Sequence, residues 1–298
     1  RLAGLYALGR CRFRSERGGE VEQRLREVLA NSLNGGDIPT AVAVIEALGT
    51  VGDQRHVPLM LDVVDRFSDQ PMLQYAAGRA AARLDREAGV EALMELCGSW
   101  HDEVRELAAW RISQMEPPPV ERLMTGMQSG GDPLRGGAAL ALALCGVCEL
   151  GVDEPLVPWL VRRFDTNDVA FELSWQIRAN YLSARILCHD DTARADLEVY
   201  WLNRHVSRMG LYVALLASGD LLPMEALLGE LPVVDVASFL RDAGFGEVLA
   251  RYVPEAPRFA WQEDEALRRY QVDRLRDWWR VFRHRLVFDG QRRVFVVR

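Results

Sequence analysis

Two short clusters in this 298-residue chain carry residue types able to do chemistry. Cys145-Gly146-Val147-Cys148 is a CxxC, a spacing used by zinc sites and by dithiol redox centres. A zinc ribbon needs a second ligand pair, and the sequence offers neither a second CxxC nor a suitably spaced His pair. A thioredoxin-like dithiol follows a strand, whereas this one ends an Ala- and Leu-rich helical run. The weightier reading is buried structural thiols. Cys188-His189-Asp190-Asp191, with His205 downstream, is the other cluster with metal-ligand residue types. An Asp pair between two helices also caps the next helix, and that reading is preferred. No metal, no cofactor and no catalytic residue is therefore expected.

A third candidate is an interaction surface. In Leu156 to Phe164, the apolar stripe at helical spacing is Leu156, Val157, Leu160, Val161 and Phe164. Trp159, Arg162 and Arg163 then share the opposite face, and exposed Trp with Arg is a combination enriched at interface hot spots. The plainer reading packs Trp159 on the next helix pair. Other helical segments put Asp62, Asp65 and Arg66, then Glu91 and Glu95, then Glu121 and Arg122 on the same side. That surface is mostly acidic and turns basic toward Arg162. A charged, solvated helix face is its plainer explanation.

The elements that position these residues follow from a repeat. Leu73-Gln74-Tyr75-Ala76-Ala77, Val104-Arg105-Glu106-Leu107-Ala108-Ala109 and Leu134-Arg135-Gly136-Gly137-Ala138-Ala139 are three copies of one pattern. Their starts lie 31 and 30 residues apart (73 to 104, 104 to 134). Each is followed by a break and a second apolar segment: Val90 to Cys97, Val120 to Met127, Leu156 to Phe164. A period near 30 with two helical segments per unit marks stacked helical hairpins. The inter-helix turns are placed at Asp85 to Gly89, Glu116 to Pro119 and Gly151 to Pro155.

Upstream, residues 1 to 12 read as the end of a helix and Val21 to Ser32 as an amphipathic one. Thr40 to Gly49 pairs with His56 to Phe67 across the Gly52-Asp53 turn. Downstream the period loosens through aromatic-rich segments at 170 to 206 and a shortened unit at 211 to 231. From Pro232 the signal fades into a helix N-capped by Asp235, a charged helix near Glu263 to Arg285, and two β-prone runs around Asp289-Gly290. Trp278-Trp279 in that charged helix is expected to dock it on the last repeat. The expected fold is all-α: a right-handed solenoid of antiparallel helix pairs over 1–231, and a helical cap over 232–298 ending in a β-hairpin.

Composition removes several function classes. The formal net charge is −7, the wrong sign for affinity built on phosphate neutralisation. All 36 basic residues are Arg, which fits a GC-rich coding sequence and excludes Schiff-base and P-loop lysine chemistry. Five spread cysteines do not make a disulfide framework, which fits a reducing, cytoplasmic setting. There is no run long enough to span a membrane. The start at Arg1, inside a repeat-like phrase, points to a fragment, so a targeting segment upstream remains compatible with the chain.

The phrases at Val104 to Ala109 and Leu134 to Ala139, with Leu48-Gly49 and Gly52-Asp53, resemble bacterial HEAT-like repeats of the type named after phycobilisome lyases. The resemblance covers residues 1 to 165 well and 170 to 231 weakly, and departs at Gln74, where Arg is usual. It implies a right-handed superhelix with first helices outside and second helices lining a concave face. Members of that group serve as scaffolds, as chaperone-like lyases and, in one branch, as DNA glycosylases. The expected function is a non-enzymatic protein-binding scaffold. Asp62, Arg66, Glu91, Glu95, Arg122, Trp159, Arg162 and Arg163 are its candidate partner-binding residues. The alternatives are a regulatory or sensor segment of a larger protein, and a chromophore lyase or DNA glycosylase. A glycosylase would need a basic groove, which the acidic second helices oppose.

Overall fold

The computed structural model describes residues 18–149, 155–166, 171–202, 208–230, 238–259 and 265–298. The readings at residues 1 to 12, at 151–154, at His205 and at Asp235 fall outside those residues. The chain divides into two compact units, Arg1–Pro119 and Val120–Arg298.

In the first unit the helices are α1 (Gly18–Gly35), α2 (Ile38–Val51), α3 (Val57–Arg66), α4 (Pro71–Leu84), α5 (Arg86–Cys97) and α6 (Asp102–Ser113). Short polar side chains set the starts by accepting hydrogen bonds from otherwise orphaned backbone N–H groups. Asp37 accepts from the Thr40 N–H at 3.2 Å, and Asp85 from the Ala88 N–H at 3.0 Å. Residues 85 to 89, expected as a turn, are thus the N-cap and first turn of α5. Gly89 serves there as a contact point, because a Cβ on it would collide with the Ala82 backbone.

Each helix packs on those one and two places along: α2 on α4 and α4 on α6, with α3 and α5 on α4. Helices α2, α4 and α6 form one row, α3 and α5 a second. Every residue from Leu73 to Gly78 is buried, and so is every residue from Val104 to Trp110. The small residues set the spacing of the row. A Cβ on Gly49 would sit 2.7 Å from the Ala80 Cβ, so only Gly lets α2 and α4 approach this closely. The second position of each repeat phrase has its own task. Gln74 donates to the Val64 carbonyl at 3.1 Å, and Arg105 to the Ser99 carbonyl at 2.8 Å. Both satisfy acceptors at the end of the preceding second-row helix, so Gln replaces Arg at Gln74 without losing the bond.

The second unit contains α7 (Val120–Ser129), α8 (Asp132–Leu144), α9 (Leu156–Thr166), α10 (Phe171–Leu187), α11 (Ala193–Leu202), α12 (Met209–Ala217), α13 (Leu222–Glu230), α14 (Ser238–Tyr252) and α15 (Glu265–Phe282). Helices α8, α10, α12 and α14 form its row, with α7 on α8, α9 and α11 on α10, and α13 on α12. A Cβ on Gly136 would lie 3.2 Å from Ile177 and 3.3 Å from the Asn180 Oδ1 atom, again at a close helix approach. Helix α12 is buried at every position, so the shortened repeat is the most enclosed helix described.

The chain ends as a covering layer. Arg276 on α15 donates to the Leu228 carbonyl of α13 at 2.9 Å. Trp279 is buried with Val272 and Leu275, while Trp278 lies half-buried against Phe282, ring centroids 5.6 Å apart. Strands β1 (Leu286–Asp289) and β2 (Val294–Val297) pair antiparallel, Phe288 opposite Phe295. The Asp289 side chain accepts from the Gln291 and Arg292 N–H groups, so Asp-Gly opens a four-residue loop, Gly290 to Arg293. Phe288 fits over Gly219, where a Cβ would stand 2.7 Å from its ring.

The fold is all-α, with helices packed neighbour to neighbour and a small C-terminal hairpin, as the repeat pattern predicts. Among the described residues that hairpin is the only sheet, accompanied by one isolated bridge, Glu149 to Pro155. Among the same residues no helix is long and apolar enough to cross a membrane.

Ala108 and Ala139 are both fully buried. Ala108→Leu or Ala139→Leu adds volume where helices pack closely and should destabilise by about 1–3 kcal/mol. Chemical denaturation is the measurement, and unchanged midpoints would contradict the repeat register.

Candidate functional site

The CxxC is not a pair of matched thiols. Helix α8 ends at Leu144 with Cys145 as its C-cap, and Gly146 reverses the chain at φ +80°. The Val147 N–H bonds back to the Leu142 carbonyl at 3.0 Å, closing the helix end. That reversal carries Cys148 away from Cys145 and onto the end of α10. There Cys148 forms a disulfide with Cys188, Cα atoms 5.5 Å apart. The reading of Cys148 as a buried thiol is thereby corrected: helical periodicity stops at Cys145, and the partner lies 40 residues away. Cys145 and Cys97 are free, and burial pushes them up to about 11 and about 12 respectively. Neither is poised as a thiolate nucleophile.

The Cys188 to Asp191 cluster serves Arg185. This buried guanidinium donates to Asp190 at 2.7 Å, to Asp196 at 2.9 Å and to the Thr192 hydroxyl at 2.9 Å. Asp190 also accepts from the Thr192 N–H at 3.0 Å, in the turn that precedes α11 rather than as a cap on the helix itself. Burial would raise the Asp190 carboxyl, but the bonds from Thr192 and Arg185 hold it below its ordinary range. His189 is exposed. Among the described residues no group of three His, Cys, Asp or Glu is placed to hold a metal ion.

The candidate interface residues divide between the two units. In the second, Trp159 is half-buried and meets Tyr181 of α10 edge-on, centroids 6.0 Å apart at 89°. The aromatic segment beyond residue 170 thus covers at least one edge of the indole. Arg122 is exposed on α7. Arg162 and Arg163 lie in α9, their side chains outside the described ones. In the first unit Asp62, Asp65 and Arg66 on α3 and Glu91 and Glu95 on α5 are all exposed. Arg66 pairs with Asp62 at 3.0 Å along the helix. Glu95 lies within electrostatic reach of the Asp65 carboxyl on the neighbouring helix. Partial burial, then the charges of Asp65 and Glu91, raise Glu95 above the ordinary carboxylate range. The structure therefore places Asp65, Glu91 and Glu95 within electrostatic reach of one another.

The opposite row holds a cluster that the sequence reading passed over. Glu46 of α2 accepts from Arg79 at 2.9 Å and from Arg83 at 2.7 Å, both on α4. Burial would raise Glu46, but the two guanidinium groups hold it below its ordinary range. Tyr75 and Arg111 complete the group. Tyr75, Arg79 and Arg83 stand at successive i, i+4 spacings on one helix face, which was the legible signal. Glu46, 33 residues before Arg79, was hidden because nothing local pairs it with α4.

A family model described as HEAT repeats matches residues 25–113. Over that stretch the chain is built of HEAT-like repeats, the class its two rows of helices define. No curated protein and no solved structure matches the chain.

Two outcomes follow from this geometry. Cys148→Ser should lower stability by about 2–4 kcal/mol, since the crosslink closes a long loop in the unfolded chain. Calorimetric melts with and without reductant check it, and a variant as stable as the oxidised wild type would contradict the pairing. Glu95 is raised on folding, so its ionisation costs stability at neutral pH, and that cost fades as pH falls through its raised value. Solvent screening limits the effect. Glu95→Gln should therefore gain a few tenths of a kcal/mol at neutral pH and nothing at strongly acid pH. An equal difference at both would refute the like-charge account.

Proposed function

We propose that this chain is a non-enzymatic scaffold that binds another protein through the exposed face of its second-row helices. The observation that carries the reading is the Asp65, Glu91 and Glu95 group. Three carboxylates are held beside one another on adjacent helices, at a cost to the fold that a cationic partner surface would relieve. HEAT repeats are commonly interaction scaffolds, and the first-row helices are occupied in packing on one another. Trp159, Arg122, Arg162 and Arg163 supply a second contact region in this reading, where an aromatic edge and forked donors meet a partner's carboxylates.

The test uses the full chain as bait. Glu91→Arg with Glu95→Arg reverses the acidic face at exposed positions, so circular dichroism should match the wild type. Recovery of a specific co-purifying protein should fall by about tenfold or more, as for charged anchors at an interface. Arg162→Ala should weaken the same capture if both regions contact one partner. Full recovery by every folded variant would leave the acidic face as a solvated surface.

A further inference from the structure

The outer side of a terminal helix in a stack of repeats is ordinarily polar, because no further repeat covers it. Helix α15 departs from that rule. It meets the rest of its unit with one narrow side, where Arg268, Val272, Leu275 and Trp279 are buried. Its opposite side carries a second apolar stripe. Leu267, Tyr270 and Val281 are 44%, 58% and 62% exposed, three of the six exposed large hydrophobic side chains among the described residues. Helical phase puts these three in line, with the half-buried Trp278 beside them. Positions 267, 270, 274, 277 and 281 follow the alternating three- and four-residue spacing of a coiled-coil seam. Two members of that seam are charged, Arg274 and Asp277, and they decide what fits it.

Arg274 stands mid-seam, its guanidinium carbon 5.7 Å from the centre of the Tyr270 ring. Asp277 is bonded to Arg280 along the helix at 2.8 Å, with both side chains largely in solvent. Such an exposed pair is worth little and exchanges partners readily. A second α15 laid parallel brings Arg274 to Arg274 and Asp277 to Asp277, like charges at each level. Laid antiparallel about a two-fold axis, it brings Tyr270 to Val281, Arg274 to Asp277 and Asp273 to Arg280 of the other copy. Asp273 also lines, with Glu265, Ala266, Arg269 and Tyr270, a hollow of about 540 Å³. The incoming Arg280 side chain therefore enters a recess rather than a flat surface. We propose that α15 is a self-association helix, through which two copies of this chain pair antiparallel along their Leu267 to Val281 stripes. That arrangement covers the apolar side chains and sets each charge of the seam against its opposite. The 18 residues of α15 make a helix only about 27 Å long, so the dimer exchanges with monomer. The acidic face of α3 and α5 plays no part in this pairing.

Analytical ultracentrifugation of the full chain over a concentration series tests it. The wild type should sediment as a monomer–dimer equilibrium. Tyr270→Gln with Val281→Gln changes two exposed positions without altering charge, so circular dichroism should match the wild type. The dimer dissociation constant should rise by about tenfold or more, as for apolar anchors lost from an interface. Arg274→Glu alone and Asp277→Arg alone should each weaken the dimer, because each sets like charges across the seam. Combined in one chain, the two changes should restore association toward the wild-type value, since opposite charges then meet again. Neither a parallel pair nor mere damage to the helix gives that recovery. A wild type that stays monomeric at every concentration would overturn the proposal and leave the stripe to a different partner. Assembly beyond the dimer, glutamine variants that pair as tightly as the wild type, or a charge swap without recovery would overturn it equally.

Discussion

How closely one first-row helix can approach the next is the constraint on which both units depend. Helices without bulky side chains at the contact can bring their backbones together, and this chain places Gly or Ala at each such point. Gly49 of α2 faces Ala80 of α4, and Gly136 of α8 faces Ile177 and Asn180 of α10, while Gly89 of α5 meets Ala82 across the two rows. The same local rule is thus applied in both units. What the small residues leave room for is dense packing: α12 is buried throughout, and most of α4, α6 and α8 is buried. Enclosure in turn makes it costly for a polar group among them to go without a partner, and several find one. Gln74, Arg105 and Arg185 do so by reaching carbonyls or carboxylates at the turns.

The same closeness shapes the electrostatics. In the first unit the two rows treat charge differently. On the second row, carboxylates of α3 and α5 crowd one another. On the first row, Arg79 and Arg83 of α4 are paired with Glu46 of α2.

Much of the architecture was legible because a repeat multiplies weak signals. One Ala-rich phrase says little; three at a fixed period fix helices, order and buried positions together, and Ala108 and Ala139 fall where that period places them. Helix starts were less legible. Asp85 to Gly89 reads as a turn by composition, yet one capping carboxylate makes it helical. The cysteines show the opposite limit. Nothing near Cys148 in sequence identifies Cys188 as its partner, since their meeting depends on a chain reversal at Gly146 and on the packing of α10. The Glu46 cluster was hidden for the same reason: its members are on three helices. The phase of α3 and α5 did place the acidic face, because side chains four apart on a helix share a side whatever the helix packs against.

Contacts that run mostly between helices one or two places along have a kinetic meaning. No residue in such a row must wait for a distant part of the chain before it finds its neighbours, so the entropy lost in closing loops is small at every step. Structure can nucleate within one helix pair and spread outward, each added pair templated by the last. The crosslink between Cys148 and Cys188 spans a single such step, from the end of α8 to the end of α10. It holds two consecutive first-row helices at their docking distance even when their neighbours have come apart. A chain built this way frays from its free ends, while the crosslinked pair remains as a seed from which the second unit re-forms.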